Sequence, residues 1–432
     1  MIHAVDRTKG RSLPTGRLTR LVRVAGVGAR AGAGFLLSKT GVDAADYAAD
    51  VLGTLRGLAA KVGQTLSYVD GIVPEAQRES YERALGALRA SAPRSSPEAI
   101  RELVEQELGR PVGELFEGFE PEPFASASIG QVHRARLPDG RAVAVKVQHP
   151  GIVAAVESDL KNAGIAEQLV ALFGPKGVDP KAAYEEVSRR FREELDYELE
   201  ARHQAAFASF HASDPTIRIP GVVGERSSRR VLTTDLAEGL TLEEAARRSE
   251  SERRAWAETL WRFVFKGNLV AGMFNADPHP GNYLFGPDGR VTFLDFGCVQ
   301  PIAKESQAPA RVMHRSAIAG DEAAFRVAAA ELLGTRGGEY GERALGYVRR
   351  CFEPMFTSPF RMSREYTTGL FTELRDMKRV MWAKDGSFVM LPPGMILLNR
   401  LQFGFYSVLA RLDVEADYAG IERRFLSEAG LL

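Results

Sequence analysis

Two short motifs at a fixed distance constrain this chain more than anything else in it. Asn275-Ala-Asp277-Pro-His-Pro-Gly-Asn282 is followed by Asp295-Phe296-Gly297, 13 residues after Asn282. Between them, the apolar runs Tyr283–Phe285 and Val291–Leu294 flank Gly286-Pro287-Asp288-Gly289, which reads as a β-hairpin. A hairpin returns the chain to its starting end, so Asp277, Asn282 and Asp295 are expected in one place. Phosphoryl transfer needs such a set: one carboxylate near the attacking oxygen, and oxygen ligands for Mg²⁺. His279 lies within the first motif, but no second His or Cys stands at ligand spacing, so a zinc site is not expected.

A second hairpin lies upstream. Gln131–Leu137 and Arg141–Gln148 flank Pro138-Asp139-Gly140, and Asp-Gly is a strong tight-turn signal. Alternation puts Val143, Val145 and Val147 on one face and Ala142, Ala144 and Lys146 on the other. The valines read as core. The opposite face leaves room for a flat ring beside one ammonium group suited to phosphate oxygens. A long helix is expected from Asp179-Pro180 to about His211, with Tyr184, Val187, Phe191, Leu195 and Leu199 as its buried stripe. Along it Glu193, Asp196 and Glu200 fall on one flank and Glu194 on the other. Bare Asp196 and Glu200, four residues apart, repel by a few tenths of a kcal/mol. The cluster therefore calls for a cation from elsewhere; Lys146 is one candidate and Lys61 another.

The 432 residues suggest two or three domains, and Lys plus Arg (56) balances Asp plus Glu (56), so nothing points to nucleic acid. Two cysteines, Cys298 and Cys351, fit a reducing cytoplasm. Residues 1–40 hold eight basic side chains against Asp6 alone, and their start lacks the apolar stretch of a signal peptide. This arm reads either as a solvated helix or as a peripheral contact for an anionic membrane. Residues 41–110 read as a helical extension, broken at Ser91–Pro97, where Ser96 can cap a helix opened by Pro97. Residues 111–235 form a small lobe with strand-like Val222–Thr234, and 236–432 a large helical lobe. Leu391–Leu412 is apolar but contains Arg400 and Arg411, so it reads as a buried helix rather than a membrane span.

The ordered set of Lys146, acidic helix, Asp277, Asn282 and Asp295 matches the Val-Ala-x-Lys, catalytic-loop and Asp-Phe-Gly pattern of kinases. Two features depart from ordinary protein kinases. In place of a glycine-rich loop stands Phe124-Ala125-Ser126-Ala127-Ser128-Ile129-Gly130-Gln131-Val132, and Lys61-Val-Gly63-Gln64 lies in the helical extension. With Glu194-Leu-Asp196-Tyr197-x-x-Glu200-Ala201, these motifs resemble the UbiB/AarF family of atypical kinase-like proteins, which includes the mitochondrial coenzyme Q biosynthesis kinases.

The resemblance implies an α+β fold, bilobal and protein-kinase-like with a helical N-terminal extension, and binding of ATP with Mg²⁺. It implies that Ala125, Ala127, Ser128, Ile129 and Gly130 form an alanine-rich phosphate loop, with Ala144 and Lys146 also in the nucleotide site. It pairs Lys146 with Glu200 and assigns metal to Asn282 and Asp295. Lys61 and Gln64 would occupy the cleft and face Glu194 and Asp196. Asp277 would be the base or water-orienting residue. Family members are associated with ubiquinone or other isoprenoid-lipid metabolism, so partners would be a nucleotide and a lipid or quinone precursor, without nucleic acid. The expected activity is slow ATP hydrolysis or phosphoryl transfer; the alternatives are a non-catalytic nucleotide-gated module and a small-molecule kinase. Asn275 departs from the His of many relatives, and neither the arginine of a His-Arg-Asp motif nor an Ala-Pro-Glu motif is present.

Overall fold

The computed structural model describes residues 95–127, 129–160, 180–335, 337–380 and 395–432. The basic arm, the extension up to residue 94 with Lys61 and Gln64, and Ser128 lie outside the described residues. Helix α1 (Pro97–Leu108) starts where expected: the Ser96 hydroxyl accepts from the Ala99 N–H at 3.3 Å, and Pro97 takes a position that needs no amide donor. A short α2 (Val112–Leu115) follows, then β1 (Gly118–Phe119), β2 (Ala125–Ser126), β3 (Gly130–Arg136) and β4 (Ala142–Gln148). Gly140, at φ 86°, takes the left-handed conformation that the β3–β4 turn requires.

Beyond α3 (Ile152–Leu160), the expected long helix is two helices, α4 (Pro180–Glu194) and α5 (Tyr197–Phe210). The break is Asp196, which leaves helical geometry at φ −120°, ψ 90° and accepts from the Leu199 N–H at 2.9 Å. Its carboxylate serves as a cap, the role for which Asp competes most effectively. The Tyr197 N–H meanwhile donates to the Arg229 carbonyl at 3.0 Å. The flank shared by Glu193, Asp196 and Glu200 therefore does not exist. Glu193 pairs with Arg189 (2.7 Å) and Arg190 (3.0 Å) on its own helix.

After β5 (Ile217–Arg218), strand β6 covers only Val231–Asp235. The remainder of the strand-like run doubles back: Val222 bridges Thr234, and the Val223 N–H donates to the Thr233 carbonyl. The Ser227 and Ser228 hydroxyls bond the turn's own backbone, which explains why apolar patterning misread it as one strand. The sheet is antiparallel in the order β1-β3-β4-β6, with β2 also on β3. Val143, Val145 and Val147 are fully buried, packed with Ile100, Leu103 and Val104 of α1.

The second part opens with α6 (Leu242–Ala245) and α7 (Glu250–Lys266), continued by one π-helical turn over Gly267–Ala271. Strands β7 (Met273–Asn275), β8 (Tyr283–Phe285), β9 (Val291–Phe293) and β10 (Val299–Pro301) follow. Helices α8 (Lys304–Ala319), α9 (Glu322–Leu333), α10 (Gly338–Cys351), α11 (Glu353–Phe356), α12 (Arg364–Val380), α13 (Met395–Leu412) and α14 (Tyr418–Glu428) complete it, with β11 (Phe360–Arg361) and β12 (Glu415–Ala416) paired between them. Trp256, Trp261, Phe285, Phe293, Phe296, Phe405 and Tyr418 form one core. Helix α13 is apolar because Phe405, Val408, Leu409 and Leu412 enter that core. Among the described residues no helix is long and apolar enough to cross a membrane.

Candidate nucleotide site

Lys146 projects from the face of β4 opposite the buried valines, as alternation requires. Its ammonium donates to both Glu200 oxygens (2.7 and 2.9 Å) and to Asp295 Oδ2 at 3.2 Å. One cation thus joins β4, α5 and the Asp-Phe-Gly motif. Burial opposes the Lys146 charge, but Asp295 and Glu200 outweigh it and hold the ammonium well above the ordinary lysine range. Burial also pushes the Glu200 carboxyl up to about 7, with Lys146 pulling it down and Asp295 pushing it up. Two carboxylates share one cation, and Glu200, only 4 % exposed, is the more deeply buried of the two.

Helix α5 presents three side chains at helical spacing to the same motif. Glu200 lies near the Phe296 backbone, which helps pull its carboxyl pKa down, His203 Nδ1 donates to the Phe296 carbonyl at 3.3 Å, and Phe207 packs on the fully buried Phe296 ring at 5.3 Å. Phe296 is thereby locked inward while Asp295 faces Lys146. His203 was not singled out in the sequence, although its three-residue spacing from Glu200 was a usable signal.

The Asp277 loop is tied to this arrangement from below. Pairing of β7 with β10 sets Asn275 opposite Val299, and the Ala276 N–H donates to the Cys298 carbonyl. Asn275 bridges the two motifs: its Nδ2 donates to the Asp295 carbonyl (2.5 Å) and its Oδ1 accepts from the Asp277 N–H (3.1 Å). Asn282 donates through Nδ2 to the Asp277 carbonyl (3.0 Å) and to Asp277 Oδ2 (3.3 Å). The β8–β9 hairpin closes the gap, with the Leu294 N–H on the Asn282 carbonyl. His279 caps the tight turn, its Nδ1 accepting from the Gly281 N–H at 3.0 Å. Gly404 of α13 packs so closely on Pro278 that a Cβ there would collide with the proline ring.

Above Lys146 lies the loop between β2 and β3. The Ala127 N–H donates to the Gly130 carbonyl at 2.9 Å, which brings the two ends of the loop together. Ala125 pairs with Val132 in the sheet, and Ala144 sits between Arg134 and Thr234 on the neighbouring strands. Ile129 points inward and is buried, so what it can offer a ligand is its backbone. A Cβ on Gly130 would overlap the Val147 carbonyl oxygen, so only glycine permits this approach of loop to strand. Asp196 is occupied as a cap, with its other oxygen 4.0 Å from Arg229, and Glu194 ends α4 just before the break.

The oxygen set fits a hard divalent cation. Asn282 spends its amide nitrogen on Asp277, which leaves its oxygen as a ligand atom, and Asp295 adds a carboxylate.

Residues 87–328 match the ABC1 atypical kinase-like domain. The rat protein "Atypical kinase COQ8B, mitochondrial" is 31% identical over 321 residues, 69% of this chain and 60% of that one. The yeast protein "Atypical kinase COQ8, mitochondrial" is 29% identical over 321 residues, 69% of this chain and 62% of its own length. The chain therefore spans about three fifths of these relatives. The solved complex of Rv3197 with erythromycin from Mycobacterium tuberculosis superimposes at a TM-score of 0.63 with 30% identity, over 87% of this chain and 94% of that one. The fold and these likenesses define an atypical kinase-like protein. This chain belongs to the ABC1 (UbiB/AarF) family.

Proposed function

We propose that this protein binds ATP with Mg²⁺ and turns it over, by slow hydrolysis or by transfer to a small or lipid-like acceptor, in support of ubiquinone or other isoprenoid-lipid metabolism. The observation that carries the reading is the double contact of Lys146 with Glu200 and Asp295, joined through Asn275 to Asp277. A lysine held by a carboxylate and an Asp-Phe-Gly aspartate in place together make the phosphate-gripping half of a kinase site. In this reading the Ala125–Gly130 turn covers the phosphates, Ala144 leaves space for the base, and Lys146 steadies the phosphate chain. Asp277, oriented by Asn275 and Asn282, accepts a proton from, or orients, the attacking water or hydroxyl. Mg²⁺, held by Asn282 and Asp295 when bound, supplies charge neutralisation at the phosphate oxygens. The resemblance would bring Lys61 and Gln64 of the extension (41–110), which lie outside the described residues, to Glu194 and Asp196, and the basic arm (1–40) would be either solvated or a peripheral contact for an anionic membrane on the cytoplasmic side.

The test is phosphate release by the purified chain with ATP and Mg²⁺, with and without anionic liposomes or a quinone-precursor mimic. Release that rises with lipid and is lost in Asp277→Ala supports turnover. Release that persists in Asp277→Ala, or silence in every condition, moves the reading to a nucleotide-gated binding module.

A further inference from the structure

Tyr197 is the first residue of α5, three positions before Glu200, and is only 1 % exposed. Its ring lies under Lys146, whose Nζ stands 4.9 Å from the ring centroid. Its hydroxyl is buried and has no hydrogen-bond partner among the described residues. Such a group costs about 1–3 kcal/mol relative to a satisfied one, so its presence calls for a reason. The ring itself is well used, packed with Ile129, Val156, Phe191 and Leu195, so phenylalanine would serve the core equally well. The oxygen lies at the base of the phosphate-loop turn, where a Cβ on Gly130 would stand 2.9 Å from it. It therefore sits against the loop backbone, on a ring over which the Lys146 ammonium stands.

We propose that the Tyr197 hydroxyl is a phosphate-binding donor, giving its hydrogen bond to an oxygen of the nucleotide phosphate chain that Lys146 grips. This rests on the nucleotide reading of the site and adds to it a neutral donor that the kinase-like motifs do not assign. A neutral donor suits the place: Glu200 and Asp295 leave little need for more negative charge, and a second cation would compete for their oxygens. Burial holds the phenol above its ordinary pKa, with Lys146 opposing and Glu200 and Asp295 adding, so the group keeps its proton to donate.

The test is Tyr197→Phe in the full chain, with melting temperature measured without nucleotide and affinity measured for ATP, ADP and adenosine. The expected result is an unchanged or higher melting temperature, an affinity for Mg-ATP and Mg-ADP weaker by about tenfold, and an unchanged affinity for adenosine. Unchanged ATP affinity in the variant, with wild type binding normally, would overturn the inference alone. A lower melting temperature with ATP and adenosine weakened together would also overturn it, as the mark of a structural tyrosine. Failure of the wild-type chain to bind ATP would overturn the nucleotide reading, and this inference with it.

Discussion

Asp295→Asn separates the metal role proposed for this residue from its structural one. The substitution keeps the side chain's shape, and its Oδ1 can still accept from the Gly297 N–H, now 2.9 Å away. What it removes is the charge facing Lys146 at 3.2 Å. Those side chains are 17 % and 32 % exposed, so the pair is partly screened and contributes about 1 kcal/mol. Part of that returns, because Glu200 no longer shares its cation with a second carboxylate. The net change in stability should be about 1 kcal/mol or less. The effect on Mg²⁺-dependent binding is larger, since a hard cation loses its charged ligand; a hundredfold weakening corresponds to about 2.8 kcal/mol. At a ligand concentration 100 times the wild-type Kd, nucleotide stabilises the wild type by about 2.7 kcal/mol and such a variant by about 0.4 kcal/mol. Thermal denaturation with ATP, with and without Mg²⁺, reads this directly. The variant should melt near wild type alone and lose nearly all of the Mg-ATP shift. A full Mg²⁺-dependent shift in the folded variant would refute the metal assignment.

Two further outcomes follow from the same contacts. In the fold Glu200 titrates near 7 against 4.5 for a free carboxyl, so it keeps a proton that the unfolded chain releases. Its contribution to stability therefore falls as pH rises from about 4.5 through 7, with a limiting slope of about 1.4 kcal/mol per pH unit. Urea midpoints should decline less steeply over that window in Glu200→Gln than in wild type, and parallel curves would contradict the assignment. Asn275→Ala removes both bonds that hold the Asp277 and Asp295 segments together. It should cost about 1–3 kcal/mol in denaturant unfolding and at least tenfold in phosphate release; full activity would show that the bridge is dispensable.

The parts of the site that sequence made legible are those governed by short periods and turns. Strand alternation placed Lys146 on the cleft face, because period two allows only two faces and three valines claimed the other. The Asp288-Gly289 hairpin brought Asp295 back to Asn282 for a similar reason. The helix break at Asp196 was not legible, because Phe191, Leu195 and Leu199 keep helical spacing straight through it. Only the backbone shows that the Asp196 carboxylate caps a new helix instead of lining an old one. The doubling-back at Ser227 and Ser228 escaped for the same kind of reason: hydroxyl-to-backbone bonds carry no apolar signature. The unsatisfied hydroxyl of Tyr197 and the bridging role of Asn275 depend on contacts between segments distant in sequence, which no local pattern encodes.

The central claim is that four separate stretches of chain hold one triphosphate. A crystal structure with Mg²⁺ and a non-hydrolysable ATP analogue tests it most directly. Phosphates are expected between Lys146 and the Ala127–Gly130 turn, with the metal on Asn282 and Asp295. Nucleotide density elsewhere, with the Lys146–Glu200–Asp295 cluster untouched, would contradict it.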